Sequence, residues 1–208
     1  MFKRRNYTWN DGKSLSLCDR TLIMGILNGT PDSFSDGGLF NTPETAAAHV
    51  KQMIEDGADI IDLGVESTRP GCTPLTADEE IERLAQLIDP VLHASTVPVS
   101  IDTYHAKTAD YAFSKGAHIL NDVWGLHYDP DMAAVAAKYK VPVIIMHNSN
   151  DTNYGDIIED MKAFFFSAID KALKEGVTPQ QIWLDPGIGF RKTEEQNIEV
   201  MQRLGELT

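Results

Sequence analysis

Oxygen-bearing side chains recur at the ends of short apolar runs: Asn28, Asp62 and Glu66, Asp102, Asn121 and Asp122, His147 and Asn148, and Asp185. They are carboxylates and carboxamides without a His or Cys cluster of metal-cage spacing. Asp102, Asn121 and Asp185 together suit a flat heterocycle that offers several N–H donors. Each also has a plainer use. Asp102 before Thr103 can cap a helix expected at Ala106–Ser114, Asn121-Asp122 can do the same for the next helix, and Asp185-Pro186-Gly187 is turn chemistry.

Two loops add hydroxyls and charge. The stretch from Asn28 to Gly38 is long and polar directly after an apolar run, which suits either a functional loop or a solvated turn ahead of the next helix. Glu66–Gly71 places Ser67, Thr68 and Arg69 after the neighbouring run, and a guanidinium can give phosphate two hydrogen bonds at once. Other motifs fail. Gly187–Thr193 ends like a phosphate loop, but Arg191 stands where the glycine before the lysine is required. Asn28-Gly29-Thr30 is a glycosylation sequon with no signal peptide to give it meaning, and no Gly-x-Ser-x-Gly elbow accompanies His147.

The elements that must position these groups are legible as a repeated βα rhythm. β-rich runs at Leu22–Gly29, Asp59–Gly64, Val97–Thr103, His118–Val123, Val141–His147 and Ile182–Gly187 alternate with helical segments. Thr42-Pro43-Glu44 opens a helix over Thr45–Glu55, and Thr76 with Glu79 reads as a capping box. Thr178-Pro179 is expected to close a helix over Lys162–Glu175, and Gly57, Gly116 and Gly176 sit where C-caps belong. Tyr7, Trp9 and Leu15–Leu17 around Asp11-Gly12 read as a β-hairpin leading into the first parallel strand. Polar endings on every strand favour a TIM (β/α)8-type barrel, which gathers all strand ends at one mouth, over a doubly wound sheet.

Composition bounds the rest. A chain of 208 residues with 42% apolar residues reads as a single domain spanning 1–208. A formal net charge of −13, with Lys3, Arg4 and Arg5 the only compact basic run, argues against nucleic acid. Cys18 and Cys72 read as free thiols in a reducing compartment. No apolar stretch approaches a membrane span or a signal peptide, so the expected location is cytoplasmic.

The motifs MGILN (Met24–Asn28), TPDSFSDGG (Thr30–Gly38), ESTRPG (Glu66–Gly71), Ile101-Asp102-Thr103, Asn121-Asp122 and LDPGIGF (Leu184–Phe190) occur in one order along nearly the whole chain. In this the sequence resembles the dihydropteroate synthase family. The resemblance implies the pterin-binding barrel and the condensation of 6-hydroxymethyl-7,8-dihydropterin pyrophosphate with p-aminobenzoate in folate synthesis. It implies Asn28 as a ligand of Mg²⁺, Thr68 and Arg69 against the diphosphate, and Asp36 in a loop that closes over the reacting carbon. It further implies Asp102, Asn121 and Asp185 on the pterin, with Asp36, Arg69 and Asp102 as the catalytic set, and Phe190 beside p-aminobenzoate. Sulfonamides are the expected competitors, and the full-length family member is expected to be a homodimer. The folate-binding module of corrinoid methyltransferases shares the pterin-facing Asp and Asn but has no use for the diphosphate loops. A non-catalytic relative is the third reading.

Three residues depart from the family pattern. Gly29 stands where valine is usual, with an expected loss of packing worth on the order of 1–3 kcal/mol. Val65 stands where a second glycine is usual, with expected backbone strain, and Arg191 replaces a small residue. A barrel of this type needs about 250 residues, so the sequence reads as truncated at its C-terminus after about six βα units. The resemblance implies a Lys on a seventh strand and an Arg and His on an eighth, beyond Thr208. The chain alone is therefore expected to form no dihydropteroate. Assaying it beside a version extended with the two strands checks this, and comparable turnover in both would overturn it.

Overall fold

A computed structural model describes residues 4–17, 20–30, 42–67 and 72–207. They group into two compact units, Met1–Leu120 and Asn121–Thr208.

The first unit opens with the expected hairpin. Strands β1 (Arg5–Thr8) and β2 (Ser14–Leu17) pair antiparallel, and Gly12, with φ +88°, supplies the left-handed backbone of the turn. The hairpin is anchored through a buried histidine. His118 accepts a hydrogen bond from Val99 N–H at Nδ1 (3.0 Å), so its Nε2–H donates to Asp11 (3.0 Å), and Trp9 meets the ring edge-on. Burial lowers the His118 pKa. Burial acts against the Asp11 carboxylate too, but bonds from Lys13 and His118 prevail and hold Asp11 well below the usual range.

There follow β3 (Met24–Asn28), α1 (Pro43–Glu55), β4 (Ile60–Gly64), α2 (Ala77–Ala94), β5 (Val99–Asp102) and α3 (Ala106–Ser114); β6 (Ile119–Asp122) crosses the unit boundary. Strands β3, β4 and β5 are parallel and adjacent in chain order. The helices begin where the sequence indicates. Thr42 caps α1 ahead of Pro43, Thr76 and Glu79 form a reciprocal capping box on α2, and Gly57 and Gly116 end α1 and α3 with positive φ. Leu84, Leu87, Ile88 and Val91 give α2 a buried stripe at helical spacing, and α1 packs against it through Ala46 and Val50.

The strand register sets the layers. Leu27, Leu63 and Ile101 form one buried row, and Ile26, Asp62 and Ser100 form the row behind it on the other face. One step further along that second face, Asn28, Gly64 and Asp102 stand side by side at the C-terminal ends of three strands.

In the second unit α4 (Met132–Tyr139), β7 (Val143–Met146), α5 (Ile157–Lys174), β8 (Ile182–Asp185) and α6 (Glu194–Arg203) follow. β7 pairs parallel with β8, Met146 opposite Asp185. Helix α5 starts five residues before the expected Lys162 because Asp156 caps it, accepting from the N–H groups of Ile158 and Glu159. The expectation that Thr178-Pro179 closes this helix is corrected. It ends at Lys174 with Gly176 at φ +97°, and Thr178 instead opens a single 3-10 turn, Pro179–Gln181.

The unusual Gly29 and Val65 are neighbours in the packing, with Leu87 beside both positions. A Cβ at Gly29 would sit 2.3 Å from Leu87 Cδ1 and 3.2 Å from Val65 Cγ1, so the volume that a valine would take is already filled. The expected packing loss at Gly29 is therefore not seen. Nor is Val65 strained. The described non-glycine residues with positive φ are Leu126, Lys140 and Arg191, and Val65 is fully buried in ordinary backbone. Gly29→Val alone should destabilise by roughly 1–3 kcal/mol through overpacking. Combined with Val65→Gly it should cost less than the sum of the two single changes by about 0.5 kcal/mol or more. Urea denaturation of the four members of the cycle measures this, and strict additivity would remove the compensation.

Candidate functional site

In the first unit the row of strand ends carries the sequence-derived residues. Asn28 is half-buried, and its carboxamide makes no hydrogen bond to another described residue. Asp102 lies over Gly64, where a Cβ would come within 3.2 Å of Asp102 Oδ2, so the missing side chain makes room for the carboxylate. The plainer reading of Asp102 as the cap of α3 does not hold: His105 occupies the cap position. Asp62 is buried one step below this row. Asp36, Thr68 and Arg69 lie outside the described residues.

Beside the row is a cluster that sequence reading missed. Glu66, Glu80 and His105 are all buried, with one ligand atom of each within 4.8 Å of the others. Glu66 Oε1 accepts from Tyr104 O–H and from Leu75 N–H, while Glu80 Oε2 accepts from Thr103 O–H and lies 3.0 Å from His105 Nδ1. Glu80 gave no signal because it reads as an ordinary charged residue in the first turn of a helix.

In the second unit Asn121 is half-buried at the end of β6. Asp122 is fully buried and accepts from the N–H groups of Trp124 and Leu126, both at 2.8 Å. It clamps this turn rather than capping α4, whose cap is Asp131. Burial pushes the Asp122 carboxyl up to about 6 against the opposing pull of those N–H groups.

Asp185 does serve its turn, accepting from Gly187 N–H at 2.8 Å through Oδ1. Gly187, at φ +65°, leaves no space for a side chain, because a Cβ would lie 2.3 Å from His147 O. Lys192 then closes the loop. Its ammonium donates to the carbonyls of Gly187 (2.8 Å), Phe190 (3.2 Å) and His147 (3.2 Å), which fixes the segment carrying Phe190. Burial pushes Lys192 down to about 8, opposed by the Asp185 carboxylate. The sequence offered Lys192 only as the tail of a failed phosphate loop. Arg191 adopts φ +47°, donates to Asn150 and lies over the Trp124 ring, 5.4 Å from its centroid.

His147 Nδ1 and Asn148 Oδ1 are buried without hydrogen bonds to described residues. Burial, with the positive charge of Lys192 behind it, pushes His147 down to about 4, so its ring is neutral at pH 7.

Known proteins resemble this chain over most of its length. Residues 24–208 match the family described as pterin binding enzyme. A dihydropteroate synthase of Clostridium beijerinckii is 52% identical over 192 residues, covering 92% of this chain and 71% of that protein. The chain belongs to the dihydropteroate synthase family. Among solved structures, a dihydropteroate synthase from Clostridium difficile, crystallised in the presence of pteroic acid, is 53% identical with a TM-score of 0.86. That match covers 91% of this chain and 72% of that one. The Yersinia pestis dihydropteroate synthase in a sulfonamide complex is 35% identical with a TM-score of 0.87, covering 97% and 74%. The fold class is accordingly that of the dihydropteroate synthases, an α/β TIM-type barrel to which β3–β8 contribute six βα units, preceded by a β-hairpin. The function is dihydropteroate synthase, a transferase of folate synthesis.

The ionisation of His147 in this dihydropteroate synthase family member has a measurable consequence. Its pKa is lower folded than unfolded, so the unfolded chain takes up the proton first and stability falls as pH drops from about 6.5 towards 4. Asp122, raised on folding, contributes in the opposite sense and loses its stabilisation as pH rises through about 6. His147→Gln should therefore flatten the acid-side loss by on the order of 1–3 kcal/mol. Urea midpoints between pH 4 and 7 check this. A variant with an unchanged slope would show that His147 titrates normally.

Proposed function

We propose that the strand-end residues of this chain serve the dihydropteroate synthase reaction in the roles their motif positions imply. The observation that carries this reading is the register at the C-terminal ends of β3, β4 and β5, where Asn28 and Asp102 flank a glycine that leaves space over the strand ends. Ligands of open or closed parallel α/β sheets are bound at this end of the strands.

Asp102 is assigned to the pterin, where its carboxylate accepts from ring N–H groups and stabilises positive charge spread over the ring as the pyrophosphate leaves. Asn121 and Asp185 are assigned to pterin binding as well, and Phe190, on the loop held by Lys192, to the p-aminobenzoate side. Thr68 and Arg69 are assigned to the diphosphate and Asp36 to the loop over the reacting carbon. The arylamine of p-aminobenzoate then attacks the pterin methylene carbon and loses a proton.

Mg²⁺ fits Asn28. A carboxamide oxygen is a hard donor, this one is engaged by no described residue, and Mg²⁺ commonly takes one or two protein ligands beside phosphate oxygens and water. When bound it supplies Lewis-acid stabilisation of the leaving pyrophosphate. Sulfonamides, as arylamine analogues, are assigned to the p-aminobenzoate position. Residues 1–208 are assigned to a single pterin-binding domain, of a cytoplasmic enzyme that is a homodimer at full length. No helix among the described residues is long and apolar enough to cross a membrane.

The test is Asp102→Asn in a version of the chain extended to the length of its relatives. The substitution keeps the volume and removes the charge, so kcat/KM for dihydropteroate formation should fall by about 10²–10³. Pterin affinity, measured by calorimetry, should weaken with it. Unchanged turnover and pterin affinity would refute the role of Asp102.

A further inference from the structure

We propose that Glu66, Glu80 and His105 form a site for one divalent transition-metal ion, separate from the Mg²⁺ position assigned to Asn28 and independent of the pterin chemistry. All three residues are more than nine-tenths buried, at 8%, 1% and 8% exposure. His105 Nδ1 lies 3.0 Å from Glu80 Oε2 and 3.9 Å from Glu66 Oε2. Two donors bound tetrahedrally at about 2.1 Å from a metal lie about 3.4 Å apart, so the two separations bracket the spacing that a shared ion requires.

A second observation points to a ligand. Glu66 Oε2 is buried with no hydrogen-bond partner among the described residues, although Oε1 of the same carboxylate holds both Tyr104 O–H and Leu75 N–H. The engaged oxygen fixes the carboxylate plane, which leaves the other oxygen directed at the histidine. Bonds of this kind to the outer side of a metal ligand are how metal sites are usually held in place. At Glu80 the Thr103 hydroxyl donates to Oε2 itself, the oxygen that faces His105, and so fixes the position of that oxygen directly.

Charge gives the third argument. Two carboxylates this close, out of water, leave a buried charge of −2 beside a neutral imidazole, which is costly without compensation. An imidazolium cancels half of it, whereas one divalent cation with a neutral imidazole cancels all of it. A nitrogen donor with two carboxylates suits Zn²⁺, Mn²⁺ or Fe²⁺ better than Mg²⁺, which prefers oxygen ligands and retains its waters. The ion would join the segment after β4, the first turn of α2 and the cap of α3. Through Glu66 it would hold the start of the ESTRPG segment.

The experiment uses the 208-residue chain, stripped with a chelator and free of pyrophosphate. Zn²⁺ is titrated against a chromophoric competitor, and Co²⁺ is added separately as a spectroscopic probe. One equivalent of Zn²⁺ should bind, with Tm rising on addition, and Co²⁺ should give d–d absorption bands of a low-coordinate nitrogen–oxygen site. Glu80→Gln and His105→Gln, checked for folding by circular dichroism, should each weaken Zn²⁺ binding at least 100-fold, while Asn28→Ala should leave it unchanged. The proposal is overturned if the wild-type chain takes up no Zn²⁺, or if folded Glu80→Gln and His105→Gln bind it as the wild type does. Should both variants fail to fold, the wild-type Co²⁺ complex decides. A paramagnetically shifted imidazole resonance assigned to His105 supports the site, and its absence overturns it.

Discussion

The register of parallel strands is the constraint on which the first unit rests. Once Met24 is opposite Ile60 and Ile61 opposite Val99, the positions of Asn28, Gly64 and Asp102 follow without further choice, because side chains alternate faces with a period of two. A one-residue slip would turn Leu27, Leu63 and Ile101 out of their buried row and move the polar strand ends to the opposite face. The apolar layer and the candidate site are thus secured by the same backbone hydrogen bonds.

A buried polar group is costly unless it finds a partner. His118 shows the rule in its simplest form. One nitrogen accepts from a strand N–H, the other donates to Asp11, and burial disfavours the charged ring while a two-stranded hairpin is tied to the unit. Asp122 obeys the same rule by taking the N–H groups of the turn that follows it. The cluster of Glu66, Glu80 and His105 is different in kind. It concentrates negative charge where protein donors do not fill every oxygen, and that imbalance sets it apart from a merely structural hydrogen-bond network.

The second unit shows how a loop is made rigid without regular structure. Gly187 brings its backbone close to His147, Asp185 takes the Gly187 N–H, and the Lys192 ammonium collects three carbonyls. The charge of Lys192 in turn suppresses protonation of His147, and Asp185 works to keep Lys192 charged. The segment bearing Phe190 takes its shape from those three hydrogen bonds.

The sequence by itself determined the strands, the starts of α1 and α2, and the family. Near-continuous apolar runs, the Thr76–Glu79 capping box and the glycines after α1, α3 and α5 are local signals, written in residues a few positions apart, and the motifs from Met24 to Phe190 carry the family in their order. Local signals also misled where two uses of a residue compete. Asp102 before Thr103 reads as a helix cap, and Thr178-Pro179 reads as a stop when it starts a 3-10 turn. Only the tertiary structure decided what distant residues do to one another. Leu87 and Val65 together fill the space beside Gly29, so a departure that looks damaging leaves no void. Glu80 on a helix meets His105 and Glu66, and Lys192 reaches back to the carbonyl of His147. The physical reason is that packing, desolvation and ion pairing act through space. Their strength depends on distances of a few ångströms between residues that the chain separates by tens of positions, and no local spacing records them.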